Sequence, residues 1–146
     1  MEQFDLNNSL GYYFSKSYSL FKSSFNTILN QEGYNLNSDH WTVLIILNNN
    51  PGINQSVISK IMQRDKPAIT RIIDYLESEN YVERKSDRND RRAHNVFLTK
   101  SGENLYKKLL VLAKSLNDQV VEGIDGNHID IMKETLSAII DRMSNK

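Results

Sequence analysis

Six of the seven arginines in this 146-residue sequence, Arg64, Arg71, Arg84, Arg88, Arg91 and Arg92, fall between positions 64 and 92, while the lysines are scattered along the chain. A planar guanidinium with five donors fits a phosphate or the edge of a guanine better than an ammonium does, so this clustering points to an anionic partner with defined geometry. The formal net charge is zero, with 18 basic and 18 acidic side chains, whereas nucleic-acid-binding domains are commonly basic. Distribution outweighs the total here: segment 84–92 alone holds five basic residues and two acidic ones.

Other chemistries find little support. There is no cysteine, which excludes a disulfide framework, a thiolate metal site and a cysteine redox switch. No phosphate-binding loop, dinucleotide fingerprint, nucleophile elbow or His-Glu-x-x-His spacing occurs, so no enzyme and no cofactor are expected. The histidines His40, His94 and His128 are far apart in sequence, and His128 stands in an acidic stretch better suited to capping a helix than to holding a metal. No metal is expected. A hydrophobic share of 39% and a charged share of 25% are those of a soluble globular chain, without the roughly 20-residue apolar run of a membrane span. The start, Met1-Glu2-Gln3-Phe4-Asp5, lacks the pattern of a secretory signal, and the expected location is the cytoplasm.

The elements that position the arginines follow from periodicity. Leu10, Phe14, Tyr18, Phe21, Phe25 and Ile28 recur at steps of four and three, predicting a long amphipathic helix from about Leu6 to Gln31. Asn37 or Ser38 caps a second helix carrying Trp41, Leu44, Ile45 and Leu47, stopped by Pro51-Gly52. Asn54 caps a short third helix with Val57, Ile58 and Ile61 inward, and Asp65 caps a fourth, with Pro67 in its first turn and Ile69, Ile72, Ile73 and Leu76 as its buried stripe. The period then changes: 81–86 and 93–98 read as two strands around the polar tip 87–92. Thr99 caps a fifth helix with Leu105, Leu109, Leu112 and Leu116 as its stripe. After the glycines at 123 and 126 a sixth carries Ile129, Met132, Leu136, Ile139 and Met143.

Helices at 38–50, 54–62 and 66–80 followed by a hairpin give the order of a winged helix-turn-helix, in which the second helix of the motif enters the major groove of duplex DNA. The fold class is mainly α with a small β-hairpin wing. On the recognition helix, around 67–78, the face opposite the isoleucines presents Pro67, Thr70, Arg71, Asp74 and Ser78, with Lys66 at its positive end. Such a face also suits an ordinary solvated helix. The wing around 84–92 favours DNA, since a basic hairpin tip fits a narrow minor groove where an inserted arginine meets enhanced negative potential.

The segments Ile69-Thr70-Arg71-Ile72-Ile73-Asp74-Tyr75-Leu76-Glu77, Tyr81-Val82-Glu83-Arg84, Asp90-Arg91-Arg92 and Leu98-Thr99-Lys100-Ser101-Gly102, in this spacing, resemble the signature of the MarR (multiple antibiotic resistance regulator) family. Trp41-Thr42-Val43-Leu44 and the long terminal helices are also similar, so the resemblance covers nearly the whole chain. It implies a two-fold dimer of winged-helix lobes that binds a pseudopalindromic operator, usually as a repressor. It further implies that Arg92 is the wing-tip minor-groove arginine, that Asp90 braces it, and that Pro67, Ala68, Thr70 and Arg71 touch bases and backbone. Lys66, Arg88 and Arg91 join this set on charge and position, with phosphate contact the better-supported role for the two wing arginines.

One MarR-like domain is therefore expected, with dimerisation helices 6–32 and 100–146 flanking a DNA-binding lobe 36–99. Its terminal helices carry more apolar surface than one small lobe covers, so a homodimer is the expected burial route, setting the two recognition helices roughly 34 Å apart, one DNA turn. The resemblance also implies a small aromatic or phenolic effector near the junction of arms and lobe, with Tyr12, Tyr13, Phe21, His40 and Trp41 as candidates. The same five suit plain core or interface aromatics. The rival function is a dimeric winged-helix protein-interaction module or antirepressor that does not bind DNA, because fold alone does not fix function.

Overall fold

A computed structural model of the chain describes residues 5–145. Residues 1–4, on which most of the secretory-signal reading rests, and Lys146, at the end of the expected C-terminal arm, lie outside the described residues. The chain forms two compact units, divided between residues 113 and 114.

In the first unit, α1 (Leu10–Gln31) leads into α2 (Ser38–Asn49), β1 (Ile53–Asn54), α3 (Gln55–Met62), α4 (Lys66–Ser78), β2 (Val82–Ser86), β3 (His94–Leu98) and the first part of α5 (Lys100–Val121). Helix α1 begins later than the apolar stripe predicts. Residues Leu6–Asn8 form a separate 3-10 turn capped by Asp5, and Ser9 Oγ accepts the Tyr12 N–H at 3.1 Å to start the helix proper. Two side chains that bond the backbone locally divide what periodicity alone would join.

Helix α2 is the centre of this unit: Trp41, Val43, Leu44, Ile46 and Leu47 are buried on several sides of it. They meet a core completed by Phe25 and Leu29 of α1, Ile58 of α3, the α4 stripe, Val82, Val96, and Leu105 and Leu109 of α5. Asn37 caps α2 by accepting the Asp39 and His40 N–H groups, and its own N–H donates to His40 Nδ1 at 3.0 Å. Asp39 then receives Lys22 Nζ of α1 at 3.1 Å and Arg64 of the turn after α3 at 2.9 Å. Burial opposes its ionisation, but the hydrogen bonds and charges of Lys22 and Arg64 prevail and hold its carboxyl below the usual range.

The helix-turn-helix is α3 and α4. Asn54 caps α3, Gln63 ends it in the left-handed region (φ 50°), and Asp65 Oδ1 accepts the Ala68 N–H at 2.7 Å to start α4, with Pro67 in the first turn. The sheet has one strand more than the hairpin expected: β1 pairs with β3 through Ile53–Val96 and Asn54–Asn95, giving the order β1-β3-β2. Gly52 makes this possible, because it turns at φ +80° and a Cβ there would run into the ring of Phe97. Thr99 ties sheet to helix: its Oγ1 donates to the Asn80 carbonyl at 2.6 Å and accepts the Gly102 N–H at 3.0 Å.

The second unit contains the rest of α5 and α6 (Gly126–Ser144). Asp125 Oδ1 accepts the Asn127 N–H at 2.8 Å, so the acidic stretch around His128 supplies the cap of α6. None of the described side chains of α6 is buried within the single chain. Among the described residues no helix is long and apolar enough to cross a membrane.

Candidate nucleic-acid interface

Helix α4 buries Ala68, Ile69, Ile72, Ile73 and Leu76 and leaves Lys66, Pro67, Arg71, Asp74 and Ser78 exposed, with Thr70 half-buried between the faces. Ala68 thus departs from the set expected to meet DNA: at 6% exposure its methyl belongs to the core, one turn before Ile72 on the same stripe, and its N–H is taken by Asp65. Lys66, Pro67, Thr70 and Arg71 stand where the sequence places them. Arg71 and Lys66 enter no ion pair or side-chain hydrogen bond among the described residues.

The wing tip is built by its own aspartates. The Asp87 N–H donates to the Ala93 carbonyl, and the Ala93 N–H to that of Asp90, both at 3.0 Å. The Asp87 carboxylate accepts the Asn89 N–H at 2.8 Å and Asn95 Nδ2 at 3.3 Å, bonds that favour its ionised form and lower its pKa. Asp90 Oδ1 accepts the backbone N–H of Arg92 at 2.9 Å. Asp90 therefore acts on Arg92 through the main chain, fixing the turn from which the guanidinium projects. Arg88, Arg91 and Arg92 are exposed, and among the described residues none of the three pairs with an acid.

Arg84, which the sequence groups with the basic wing, is different. Its guanidinium is only 16% exposed and bonds Asp74 and Glu77 of α4, each at 2.6 Å, while Nε donates to Gln55 Oε1 at 3.0 Å. It is a brace from β2 to the outer side of α4, and its charge is already matched by two carboxylates. Asp74, read from the sequence as part of the outward face, is its partner.

Between α3, the N-terminal half of α4 and the wing lies an open cleft of about 440 Å³. Lys66 and Thr70, Asn54 through Ser56 with Ser59, and Asp90 and Arg92 through His94 line it. The fold thus brings Lys66, Thr70, Asp90 and Arg92 together across 26 residues of sequence, while Arg71, Arg88 and Arg91 stand outside the lining. Gln55, Ser56 and His94 were missed by the sequence reading; nothing in the spacing of single polar residues singles them out. A cleft lined by Lys66 and Arg92, with the hydroxyl side chains of Ser56, Ser59 and Thr70 in the same lining, suits a phosphate chain.

The five effector candidates do not form one cluster in the chain. Tyr12 and Tyr13 meet edge-on at 5.7 Å, about 20 Å along α1 from Phe25, which packs against Trp41. Trp41 is 9% exposed and stacks on Tyr106 at 5.4 Å, a core position. His40 closes the α2 cap and lies 4.9 Å from the Tyr75 ring. Burial, opposed by the Asp39 charge, lowers its pKa. Tyr13 and Phe21 are exposed on α1.

The sequence model of the MarR family matches residues 36–94, from the start of α2 through the wing. Solved structures with the same fold include a MarR-family transcriptional regulator from Rhodococcus sp. RHA1, at 24% identity and TM-score 0.85, covering 94% of this chain and 96% of that one. A MarR transcriptional regulator from Methanosarcina mazei Go1 is similar at 25% identity and TM-score 0.85, over 93% and 96% of the two chains. The S. aureus MepR-DNA complex matches at 22% identity and TM-score 0.81, over 92% of this chain and 98% of that one. The family match spans the helix-turn-helix and the wing, and the fold shared with MarR-family transcriptional regulators extends over more than nine-tenths of this chain.

Proposed function

We propose that the protein is a sequence-specific duplex-DNA-binding regulator that occupies a pseudopalindromic operator as a homodimer, acting as a repressor. The observation that carries this reading is the cleft itself: Lys66 and Thr70 of α4 face Arg92 of the wing across it, with Arg71, Arg88 and Arg91 exposed alongside. A recognition helix in the major groove and a wing in the adjacent minor groove would leave one strand of phosphates to run through that cleft. The DNA-bound structure of the MepR relative supports the same use of the fold. Operator binding places the protein in the cytoplasm.

Dimerisation is supported by the apolar side chains the single chain leaves exposed: Leu10, Tyr13, Phe14, Tyr18 and Phe21 on α1, and Ile131, Met132, Ile140 and Met143 on α6. Helices α1, α5 and α6 then serve as dimer arms around the DNA-binding lobe 36–99. An aromatic effector that binds only one spacing of the lobes would release the operator. In that role Tyr12, Tyr13 and Phe21 are the accessible aromatics, whereas His40 and Trp41 would act through the cap and the core they already occupy.

The test is selection of bound sequences from random duplex DNA with the wild type, Arg71→Ala and Arg92→Ala. Recovery of an inverted repeat by the wild type, with both variants weakened, is the expected result. A folded dimer that enriches no sequence at low salt would instead point to a protein partner for this surface.

A further inference from the structure

Thr70 is the meeting point of a directional chain of hydrogen bonds. Arg84 Nε donates to Gln55 Oε1 at 3.0 Å, and Gln55 Nε2 donates to Thr70 Oγ1 at 2.9 Å. The direction is fixed by chemistry, because a guanidinium has donors only and stays protonated, so the amide must present its oxygen to Arg84 and its NH₂ to Thr70. Asp74 and Glu77 hold the guanidinium in place. One lone pair of Thr70 is thereby occupied and its hydroxyl hydrogen is left over.

In a helix that hydrogen usually turns back to the carbonyl four residues earlier. Thr27, Thr42 and Thr135 do so, donating to Ser23, Ser38 and Ile131 at 3.1, 2.9 and 2.8 Å. Thr70 is the one helical threonine among the described residues without that bond. It lines the cleft instead, in company with Lys66 and Arg92, which only donate, and with Asp90, whose Oδ1 already accepts the Arg92 N–H. Donor, donor and donor converge on one space.

Resting on the DNA-binding reading above, we propose that Arg84 and Gln55 position Thr70 as a hydrogen-bond donor to a backbone phosphate of the duplex, held with Lys66 and Arg92 in the cleft between α4 and the wing. A bond donated along a chain that begins at a cation is strengthened by polarisation, and its acceptor here is charged. Gln55 and Arg84 are positioning residues that act through Thr70.

The experiment titrates a short duplex of the selected sequence and one of unrelated sequence with the full-length wild type, Thr70→Val, Gln55→Glu and the double variant, following anisotropy. Thr70→Val weakens both duplexes alike, on the order of tenfold, with the preference between them unchanged. Gln55→Glu reverses the relay, because a carboxylate accepts from both Arg84 and the Thr70 hydroxyl. In that background Thr70→Val costs less than about twofold, the hydroxyl having already been withdrawn from the duplex. Urea unfolding of each variant, followed by the fluorescence of Trp41, shows that the fold is retained. An unchanged affinity for Thr70→Val, an altered base preference, or an equal loss in both backgrounds would each overturn the proposal. Failure of the wild type to bind any duplex would overturn the DNA reading and this relay with it.

Discussion

Replacing Arg84 by methionine and, separately, Arg92 by alanine sets two arginines of one hairpin against each other. Arg84 is 16% exposed and makes bonds of 2.6, 2.6 and 3.0 Å to Asp74, Glu77 and Gln55. Breaking a fully buried pair costs about 3–5 kcal/mol, and an exposed pair contributes about 0.2–1. The carboxylates of Asp74 and Glu77 are 58% and 42% exposed, so water recovers much of their charge once the guanidinium is gone. Methionine keeps most of the apolar stem. The expected loss is therefore about 1.5–2.5 kcal/mol, between the two limits. Arg92, exposed and without an acidic partner among the described residues, should change stability by less than about 0.5 kcal/mol on removal. At a urea dependence of about 2 kcal/mol per molar, Arg84→Met lowers the unfolding midpoint by about 1 M while Arg92→Ala leaves it in place. Trp41, the single tryptophan, stacked on Tyr106 in the core, reports the transition at fixed protein concentration. Equal midpoints for Arg84→Met and wild type, or a larger shift for Arg92→Ala, would refute the assignment of Arg84 as a brace.

Gly102 is buried where α5 begins, and a Cβ there would run into the carbonyl oxygen of Tyr81. Since backbone cannot give way as a side chain tip can, Gly102→Ala should destabilise by about 2–3 kcal/mol, read as a drop in Tm of roughly 5–10 °C. His40 carries a pH dependence. Its ordinary pKa is 6.5, and burial lowers it in the fold against the pull of Asp39, while Lys22 and Arg64, which pair with Asp39, temper that pull. The unfolded chain thus binds more protons below pH 6.5, so stability is full above that value and falls as the pH drops toward the lower folded pKa. Protonation also removes the lone pair of Nδ1 that accepts the Asn37 N–H. Urea midpoints measured from about pH 7.5 to 5 should decline for the wild type and decline less for His40→Gln; parallel slopes would count against this role.

The helices were legible because each carries an apolar stripe at helical spacing, although the stripes of α1 and α6 lie mostly exposed in the single chain, and Val57 and Ile61 of α3, expected inward, are exposed beside the buried Ile58. Ile69, Ile72, Ile73 and Leu76, read from sequence as the inner face of α4, are all buried, and Asn54, Asp65 and Thr99 act as the caps their types suggest. Strand β1 was not legible, since two residues, Ile53 and Asn54, carry no period of their own and are defined by pairing with β3. Charge counting could not distinguish Arg84 from Arg88: both sit in one basic run, and only the fold reveals that Asp74 and Glu77 reach the first of them. Ala68, four residues before Ile72 and so on the stripe already named, was placed toward DNA by the family resemblance and not by its spacing. Gln55 carried no signal at all, because its role depends on partners 15 and 29 residues away.

The salt dependence of binding to a selected duplex tests the central claim most directly. Lys66, Arg71, Arg88, Arg91 and Arg92 are unpaired among the described residues, so the proposed dimer would present two such sets. If half or more of them neutralise phosphates, the slope of log affinity against log salt should lie between about −4 and −9, and Arg92→Ala should make it shallower by about 1–2. A slope near zero, or the same slope with and without Arg92, would contradict the account.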